Sequence, residues 1–584
     1  MKPILAVSAA LAVYLGWRSW GWTLVHDAPL MHYVAWLMTQ GAVPYRDVFD
    51  MNLPGVYLLH LGVIGVLGEG DRAWRLFDLG WLLLTAAALF GFSRRMGDVA
   101  SGLAAALLFV LYHLSGGAWR AGQRDYLLTL FLMLAAWGVA RVWESGVVLG
   151  PALWGGLAAG ASVMIKPQAA LFWVGCAVVA TLGAWRANAL RMLVIWCAAG
   201  LAVPVLVLGW LAWRGGVGPF AAILAGYVLP LYSRVGRVGM WEGLRWHVLG
   251  WQIWSCLLVL GLLGFARALP EPYGVRRWLA VLGLVYGVAH YTIQGKGWEY
   301  HLYPFGLFAC ALASIPLAAH SRAAAATPSR IPRLAHGLAL PVLVLTVALL
   351  SVKGVDAADV PWIADKQRRV AALVRQLRPL AGEGPVQVMD VTGGGVHALL
   401  RLHLRQPTRF LYDFHFFHDE ADPRIQALRD EFVRFLERGR PTAIVIFKDT
   451  WRRPGYDRLE EFPAVTRLLA RDYPLAVTGD GYRIYARRSY SSCHPRLRRL
   501  DRPRLLLGTL RDPPPAFPRR DRPVPPRARA RPRSRLRLRP LLPLLRERPP
   551  RAAPRGLRPQ RAPHRHGPRG RPQAWAFERA VRDG

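Results

Sequence analysis

The feature that most constrains this chain is a series of apolar runs, each close to the length that a helix needs to cross a bilayer. Eleven such runs can be read from the sequence, at residues 4–24, 73–93, 98–114, 126–143, 147–165, 168–185, 191–213, 248–268, 277–293, 302–319 and 335–353. A membrane-spanning helix needs about 20 mostly apolar residues and satisfies its own backbone hydrogen bonds in lipid. The pattern therefore predicts an α-helical polytopic membrane protein with about eleven transmembrane helices.

The short apolar stretch at residues 54–68 decides how the loops are distributed between the two membrane faces. It is only about 15 residues long, which favours an interfacial or re-entrant element over a crossing helix. With that choice, most arginine-rich loops fall on the cytoplasmic side together with the N-terminus, as the positive-inside rule expects. The first run follows a single Lys2 and shows no convincing cleavage site, so we expect an uncleaved anchor rather than a signal peptide.

After the last apolar run, at residues 354–489, the composition changes to that of a small soluble α/β domain. The pattern predicts helices at 362–378 and 424–438, strands at 386–391, 409–414 and 442–448, and a hairpin at 475–486. The Thr-Gly-Gly-Gly segment at 392–395 lacks the spacing of a nucleotide-binding loop. The segment 413–422 contains His and Asp without a recognised ligand spacing, so it is interpreted as a surface loop.

The remaining residues, 490–584, form an Arg/Pro-rich tail. Residues 491–584 contain 27 Arg and 6 acidic residues, which is +21 of the +38 net charge of the chain. Such a segment cannot bury a core and is predicted to be disordered. It is either a basic tail that touches anionic lipid or nucleic acid, or the out-of-frame translation of a GC-rich gene, which we favour. Because the charge excess is concentrated there, it does not indicate a nucleic-acid-binding protein. The five cysteines form no CxxC pair, so no disulfide framework or zinc site is indicated.

The candidate site residues are charged groups beside the predicted outer ends of the apolar runs. Asp27, Arg46 and Asp47 lie in the segment His26–Tyr57, which prolines and glycines break into short pieces. The other candidates are Arg124, Asp125, Lys166, Lys296 and His301. Each of them alone is commonly a solvated loop charge, and Arg46 with Asp47 is typical of a local turn pair. Their collection on one predicted face indicates a site at a membrane surface.

Three segments carry a resemblance to a known class of enzymes. An acidic residue followed by HYVAWLMTQGAVPYRDVFDMNLPGVYLL resembles the first outer loop of the GT-C glycosyltransferases, RAGQRDYLLTLFLMLAA their second acidic site, and QGKGWEYHLYPF a late outer loop. This class uses polyprenyl-phosphate sugars and includes the protein O-mannosyltransferases and the bacterial aminoarabinose transferases. The resemblance covers roughly residues 1–350. Many members have two adjacent acids at the first site, whereas Asp27 lies between His26 and Ala28, so we assign no metal ligands.

The resemblance implies an inverting glycosyl transfer at the outer face of the membrane. The acceptor hydroxyl must lose a proton to a carboxylate base, and that role falls to Asp27. The leaving group is a lipid phosphate, which requires cationic partners. Lys296 and His301 are the first candidates for this role, and Arg124 and Lys166 are the second.

Asp125 would position the acceptor or a cation, although an ion pair with a neighbouring base fits it equally. The expected acceptor is an envelope lipid, glycan or protein, and the use of a divalent metal stays open. The implied location is the bacterial cytoplasmic membrane, with the active site and the C-terminal domain on the periplasmic side. A transporter or flippase of lipid-linked glycans is the main alternative, but such proteins usually place charges near the bilayer midplane and carry internal repeats. A glycan polymerase or ligase, which would share the donor chemistry, also stays open.

Overall fold

The structure, a computed structural model, describes residues 1–145, 148–183, 187–245, 252–265, 273–318, 330–358, 361–380, 383–451 and 454–488. All of these residues belong to one compact unit. The Arg/Pro-rich tail, with the choice between its two interpretations, lies outside the described residues. Within them, a helical domain comes first along the chain and a small α/β domain follows it.

The helical domain accounts for every predicted apolar run. Its helices are α1 (Lys2–Arg18), α2 (Ala28–Thr39), α3 (Pro54–Leu67), α4 (Asp71–Ser93), α5 (Val99–Leu114), α6 (Arg124–Ser145), α7 (Leu149–Ile165), α8 (Ala169–Gly183), α9 (Ala187–Trp213), α10 (Val217–Ile223), α11 (Met240–Leu244), α12 (Gln252–Phe265), α13 (Gly274–Gln294), α14 (Tyr303–Leu317) and α15 (Arg330–Ala358). A π-helix, Leu224–Tyr232, continues α10. Over the residues that the structure describes, each predicted run overlaps one of these helices, so the predicted helical membrane domain is confirmed. The ends of the run at 248–268 lie outside the described residues, and the run at 4–24 extends past the end of α1.

Length and composition separate the apolar helices into two groups. In the described part of the chain, five stretches are long and apolar enough to cross a membrane: Asp71–Ser93, Arg124–Ser145, Ala189–Trp213, Glu299–Leu317 and one within Gly337–Leu380. Shorter apolar helices of 10–17 residues accompany them, at Pro54–Leu67, Val99–Leu114, Leu149–Ile165, Ala169–Leu182, Val217–Tyr232 and Ile253–Phe265. The chain is therefore a multi-pass membrane protein whose spans differ in length.

Helix α3 is the stretch that decided the predicted orientation of the loops. It has 14 residues, which at 1.5 Å per residue is about 21 Å and less than the ~30 Å hydrocarbon core. It starts at Pro54 and ends at Leu67. The next residue, Gly68, has a φ of 87°, which is a conformation that favours glycine. A Cβ on Gly55 would lie 2.5 Å from the carbonyl oxygen of Met164, so α3 packs tightly against the end of α7. The non-crossing interpretation of residues 54–68 stays a prediction.

Small residues allow α7 to pack closely against α6 and α9. Gly138 of α6 faces Gly155 of α7. A Cβ on Gly156 would lie 2.2 Å from the Trp196 carbonyl oxygen, and one on Gly160 would lie 2.0 Å from that of Gly200. Such contacts let helix backbones approach closely in a membrane, where van der Waals packing is the main source of association. This packing fixes the end of α7, where one candidate site residue lies.

The α/β domain has a four-stranded sheet in the order β1-β2-β4-β3. Its strands are β1 (Val386–Met389), β2 (Ala443–Phe447), β3 (Leu475–Gly479) and β4 (Tyr482–Ala486), and its helices are α16 (Pro361–Leu377), α17 (Gly395–Leu402), α18 (Pro423–Gly439) and α19 (Pro463–Asp472). Strands β1 and β2 are parallel, and the other pairs are antiparallel. The two predicted helices, the first and third predicted strands and the hairpin are all present. The predicted domain boundary at residue 354 falls inside α15.

The strand predicted at residues 409–414 is wrong. The segment forms only an isolated bridge between Phe410 and Phe49. The amide of Phe49 donates to the carbonyl of Arg409 at 2.7 Å, and the amide of Asp413 donates to the carbonyl of Asp390 at 3.1 Å. Its backbone bonds are thus divided between the residue that follows β1 and the segment between α2 and α3, so no continuous ladder forms. Apolar alternation alone could not distinguish this interdomain segment from a strand.

The surface loop predicted at 413–422 is also wrong for its first half. Residues 413–417 are buried, with Asp413 and His415 at 1% and 0% exposure. Tyr227 of the π-helix lies between the two histidines of this loop, with its hydroxyl oxygen 2.7 Å from His415 Nδ1 and 2.9 Å from His418 Nε2. The loop therefore joins the α/β domain to the helical domain.

Further contacts hold the two domains together. Tyr33 of α2 donates to the carbonyl of Leu404 at 2.8 Å. Ile363 of α16 packs in a small apolar cluster with residues that precede α2 and α6, namely Trp22, Val25, Ala118 and Ala121. Arg401 forms a 2.6 Å ion pair with Asp71 at the start of α4. The α/β domain is thus packed directly onto the end of the helical bundle where the predicted site lies.

We expect Gly156→Val to lower the thermal stability of the protein in detergent. The added side chain meets the backbone of α9, which cannot move away without opening the bundle, and overpacking of this kind costs about 1–3 kcal/mol. Gly209→Val on α9 is the matched control, because nothing lies within 4 Å of the position of its Cβ. Equal melting temperatures for the two variants would contradict the close packing of α7 on α9.

Candidate active site at one end of the bundle

Asp27 lies at the start of α2, where the chain enters the helix from a strained turn. His26 has a φ of 59°, which non-glycine residues seldom adopt, and Pro29 in the first turn fixes the helix start. An aspartate at the N-cap position usually accepts a helix amide. The Asp27 side chain makes no such bond. Its oxygens face Tyr412, whose hydroxyl donates to Oδ1 at 3.1 Å, and Arg124, whose Nη2 lies 3.7 Å from Oδ2.

Arg124 and Asp125 are neighbours in the first turn of α6, but they serve different partners. Arg124 faces Asp27, and both side chains are 17% exposed. Asp125 is fully buried and faces α13, with its Oδ1 2.7 Å from His290 Nε2 and 3.1 Å from Gln294 Nε2. The first turn of a helix favours a carboxylate because the exposed amides carry partial positive charge.

Lys166 supplies the cation for Asp125. It directly follows α7, and its ammonium lies 3.1 Å from Asp125 Oδ2. The same ammonium donates to the side-chain oxygen of Gln294. Lys166 is 7% exposed and Asp125 is fully buried, so the pair is shielded from solvent. We refer to Asp125, Lys166, His290 and Gln294 as the buried ion cluster.

The two residues first expected to meet the lipid phosphate are placed differently from each other. The Lys296 ammonium donates to the backbone carbonyls of Tyr232 at 2.9 Å and Val235 at 2.6 Å, and lies over the Tyr232 ring. It therefore clamps the loop that follows the π-helix. His301 is 2% exposed, interacts electrostatically with Asp125, and its Nδ1 has no hydrogen-bond partner among the described residues. Of the two, His301 has the ring nitrogen available for a ligand.

Arg46 and Asp47 form a local pair at the surface. Their side chains are 50% and 37% exposed, with a 2.8 Å separation between Arg46 Nη2 and Asp47 Oδ2. Partial burial raises the pKa of Asp47, but hydrogen bonds from Arg46 and from the Val43 amide outweigh it, so the pKa lies below its usual value. In the described part of the chain no contact joins this pair to Asp27.

A second group of charges, centred on Glu299, holds three separate segments of the helical domain together. Glu299 accepts bonds from Arg120, from the Trp254 indole at 3.0 Å and from Lys353 at 3.2 Å. These partners come from the loop before α6, from α12 and from α15. Because Arg120 is only four residues before Arg124, this group fixes the start of α6 and hence the direction of the site residues on it.

The glycine-rich segment of the α/β domain is already occupied by a side chain. The carboxylate of Asp390 accepts the amides of Val391 and Gly393 at 2.7 Å, Gly394 at 2.9 Å and Gly395 at 2.8 Å. Burial raises the pKa of Asp390 despite these bonds. Successive backbone amides of this kind would otherwise cradle a phosphate. The internal carboxylate takes that place, which agrees with the sequence-based interpretation that this is not a nucleotide site.

Several residues near the predicted site were missed from the sequence. His290 and Gln294 lie four residues apart on one face of α13, and polar groups at this spacing inside an apolar run are a usable signal. Tyr412 gave no signal, since it lies 385 residues from Asp27. In the described part of the chain, no three His, Cys, Asp or Glu side chains form a group that could hold a metal ion.

This architecture, a helical membrane bundle followed by a small α/β domain, is a GT-C-like fold. ArnT from Cupriavidus metallidurans bound to undecaprenyl phosphate shares it with a TM-score of 0.55 and 13% sequence identity, over 82% of this chain and 97% of that one. The apo structure of the same ArnT matches with the same score and identity, over 83% and 98%. No protein-family model matches the chain, and no curated protein matches it significantly. The likeness to ArnT shows the fold.

We expect Lys166→Met to destabilise the protein strongly, because it leaves the buried Asp125 carboxylate without its cation. Removing one partner of a buried ion pair costs about 3–5 kcal/mol. The control is Arg46→Met, which breaks an exposed pair worth less than about 1 kcal/mol. Thermal unfolding in detergent measures both.

The double variant Asp125→Asn/Lys166→Met should recover much of the stability lost by Lys166→Met, since no charge is then left unpaired. A double variant that is less stable than the single one would contradict the pairing.

Proposed function

We propose that the protein is a membrane glycosyltransferase that moves a sugar from a polyprenyl-phosphate donor to an envelope acceptor. The observation that carries this proposal is the meeting of Asp27 and Arg124 at the same bundle end as the Asp125–Lys166 pair. A carboxylate with accessible oxygens thus lies beside a cation, with a second cation close by. The GT-C-like fold, shared with a structure that holds undecaprenyl phosphate, supports a lipid-phosphate ligand.

Asp27 has the features of a general base. Its carboxylate caps no helix amide, and it is 17% exposed, so an acceptor hydroxyl can reach it. In the proposed step this hydroxyl gives its proton to Asp27 while its oxygen forms a bond to the anomeric carbon. The bond from that carbon to the phosphate oxygen breaks, and the lipid phosphate leaves with the electron pair.

The arrangement supports inversion at the anomeric carbon. Retention by double displacement needs a second carboxylate as nucleophile. Asp125, the neighbouring acid, is fully buried and bound to Lys166, His290 and Gln294, so it is poorly placed to attack a sugar. A single displacement assisted by Asp27 needs no such group.

Arg124 and Lys166 are the proposed partners of the phosphate. The leaving phosphate carries growing negative charge, which guanidinium and ammonium donors stabilise. Both residues lie next to an acid of the site, and His301 adds a ring nitrogen beside them. Lys296 stays a predicted phosphate partner, and its bonds to the Tyr232 and Val235 carbonyls also hold the loop after the π-helix. Asp125 positions Lys166.

The proposed setting is the bacterial cytoplasmic membrane, with the site and the α/β domain on the periplasmic side. The distribution of arginines between the loops supports this orientation. The acceptor would approach between the bundle end and the α/β domain, which lie against each other at Asp27 and Tyr412.

We expect Asp27→Asn to lower kcat by about 10²–10⁴-fold with little change in KM for the donor, because a general base acts in the transition state. The measurement is transfer from a polyprenyl-phosphate sugar by the purified full-length protein, with cell-envelope extract as acceptor source. Asp47→Asn, which lies beyond the other end of α2 in the exposed pair, is the control and should keep full activity.

Two results would overturn parts of the proposal. Full transfer by Asp27→Asn would remove Asp27 as the base. Absence of donor turnover by the wild-type protein with a competent acceptor, together with movement of lipid-linked glycan across vesicle membranes, would establish transport instead.

A further inference from the structure

The α/β domain reaches the proposed base directly. Tyr412 belongs to this domain, yet its hydroxyl donates to Oδ1 of Asp27 in the helical domain at 3.1 Å. Tyr412 is 4% exposed, and burial together with the Asp27 charge raises its pKa well above the usual value, so it stays a hydrogen-bond donor. A neutral donor on a carboxylate fixes the direction of its lone pairs, and bonds of this kind to charged groups are strong.

The backbone on both sides of Tyr412 is held in place. Asp413 bonds through its amide to the end of β1, and its carboxylate forms a 2.8 Å ion pair with the buried Arg458. On the other side, the Arg409 carbonyl accepts a 2.7 Å hydrogen bond from the amide of Phe49, which lies between α2 and α3. Contacts with both domains therefore fix the position of the Tyr412 hydroxyl, so the hydroxyl is preorganised to hold the Asp27 carboxylate.

Lys366 is a second residue of the α/β domain that interacts electrostatically with the Asp27 carboxylate. The buried face of α16 consists of Ile363, Lys366, Val370, Leu373 and Leu377. Lys366 is thus a charged residue in an apolar stripe, and it is 8% exposed. It interacts electrostatically with Asp390 and Asp27, and burial lowers its pKa to about 8. Asp390 is the stronger of these two electrostatic partners, so Lys366 acts mainly as the cation for the buried Asp390 carboxylate.

We propose that the α/β domain forms one wall of the active site and that Tyr412 is the positioning residue for Asp27. The inference rests on the proposed function, since it assigns Asp27 the role of base. The charged and titratable groups that interact with Asp27 are then Arg124, Lys166, Tyr232 and Tyr300 from the helical domain, and Tyr412 and Lys366 from the α/β domain.

The test is Tyr412→Phe in the full-length protein, assayed for transfer from a polyprenyl-phosphate sugar across a range of pH. Loss of the hydrogen bond is expected to lower kcat by about 10-fold or more, with the donor KM changed less than about twofold. Because the bond favours the carboxylate form, the acid limb of the kcat profile should move to higher pH. If Tyr412 contributed only to packing, its replacement would leave the acid limb of the kcat profile unchanged.

Tyr33→Phe is the matched control. It also removes a buried tyrosine bond between the two domains, to the Leu404 carbonyl, but it does not touch Asp27. It is expected to lower the melting temperature slightly and to leave the pH profile unchanged.

The outcomes separate this inference from the proposed function. Wild-type turnover with unchanged kcat and acid limb in Tyr412→Phe would overturn the inference alone. Equal effects of Tyr412→Phe and Tyr33→Phe on every readout would overturn it as well, because they would assign Tyr412 to domain packing. Absence of donor turnover by the wild-type protein would overturn the proposed function and this inference with it.

Discussion

The buried ion pair between Asp125 and Lys166 is the interaction on which the site depends. It joins the start of α6 to the end of α7, and the bonds from His290 and Gln294 add α13. Removing two charges from water is expensive, so such a pair persists only where its remaining hydrogen bonds are satisfied. The cluster therefore fixes the ends of α6, α7 and α13 relative to one another. Arg124, the residue before Asp125, is directed at Asp27 as a consequence.

The contact between the two domains is the second condition for the site. In the helical domain, the Asp27 carboxylate lies near Arg124 and accepts no hydrogen bond from an amide of α2. The α/β domain adds a hydrogen bond from the Tyr412 hydroxyl. The end of β1 lies at this contact, because the amide of Asp413 donates to the carbonyl of Asp390, the residue that follows β1.

Some of the site could be predicted from sequence because the physical signal is local. Asp27, Arg124, Asp125 and Lys166 lie at the ends of apolar runs, where a charge in or near a membrane is costly unless it has a role. The predicted helices and most of the sheet followed from apolar periodicity in the same way. Lys296 shows the limit of this reasoning, since its position beside a run was predicted, but its two carbonyl partners depend on how a distant loop packs.

The amino-acid pattern was enough to predict a helical membrane domain followed by an α/β domain, because both depend on hydrophobic periodicity over short windows. The interdomain position of residues 409–414 and the contact between Tyr412 and Asp27 became visible in the folded protein. The reason is that both depend on which surfaces pack together, and packing joins residues 385 positions apart that no local pattern connects.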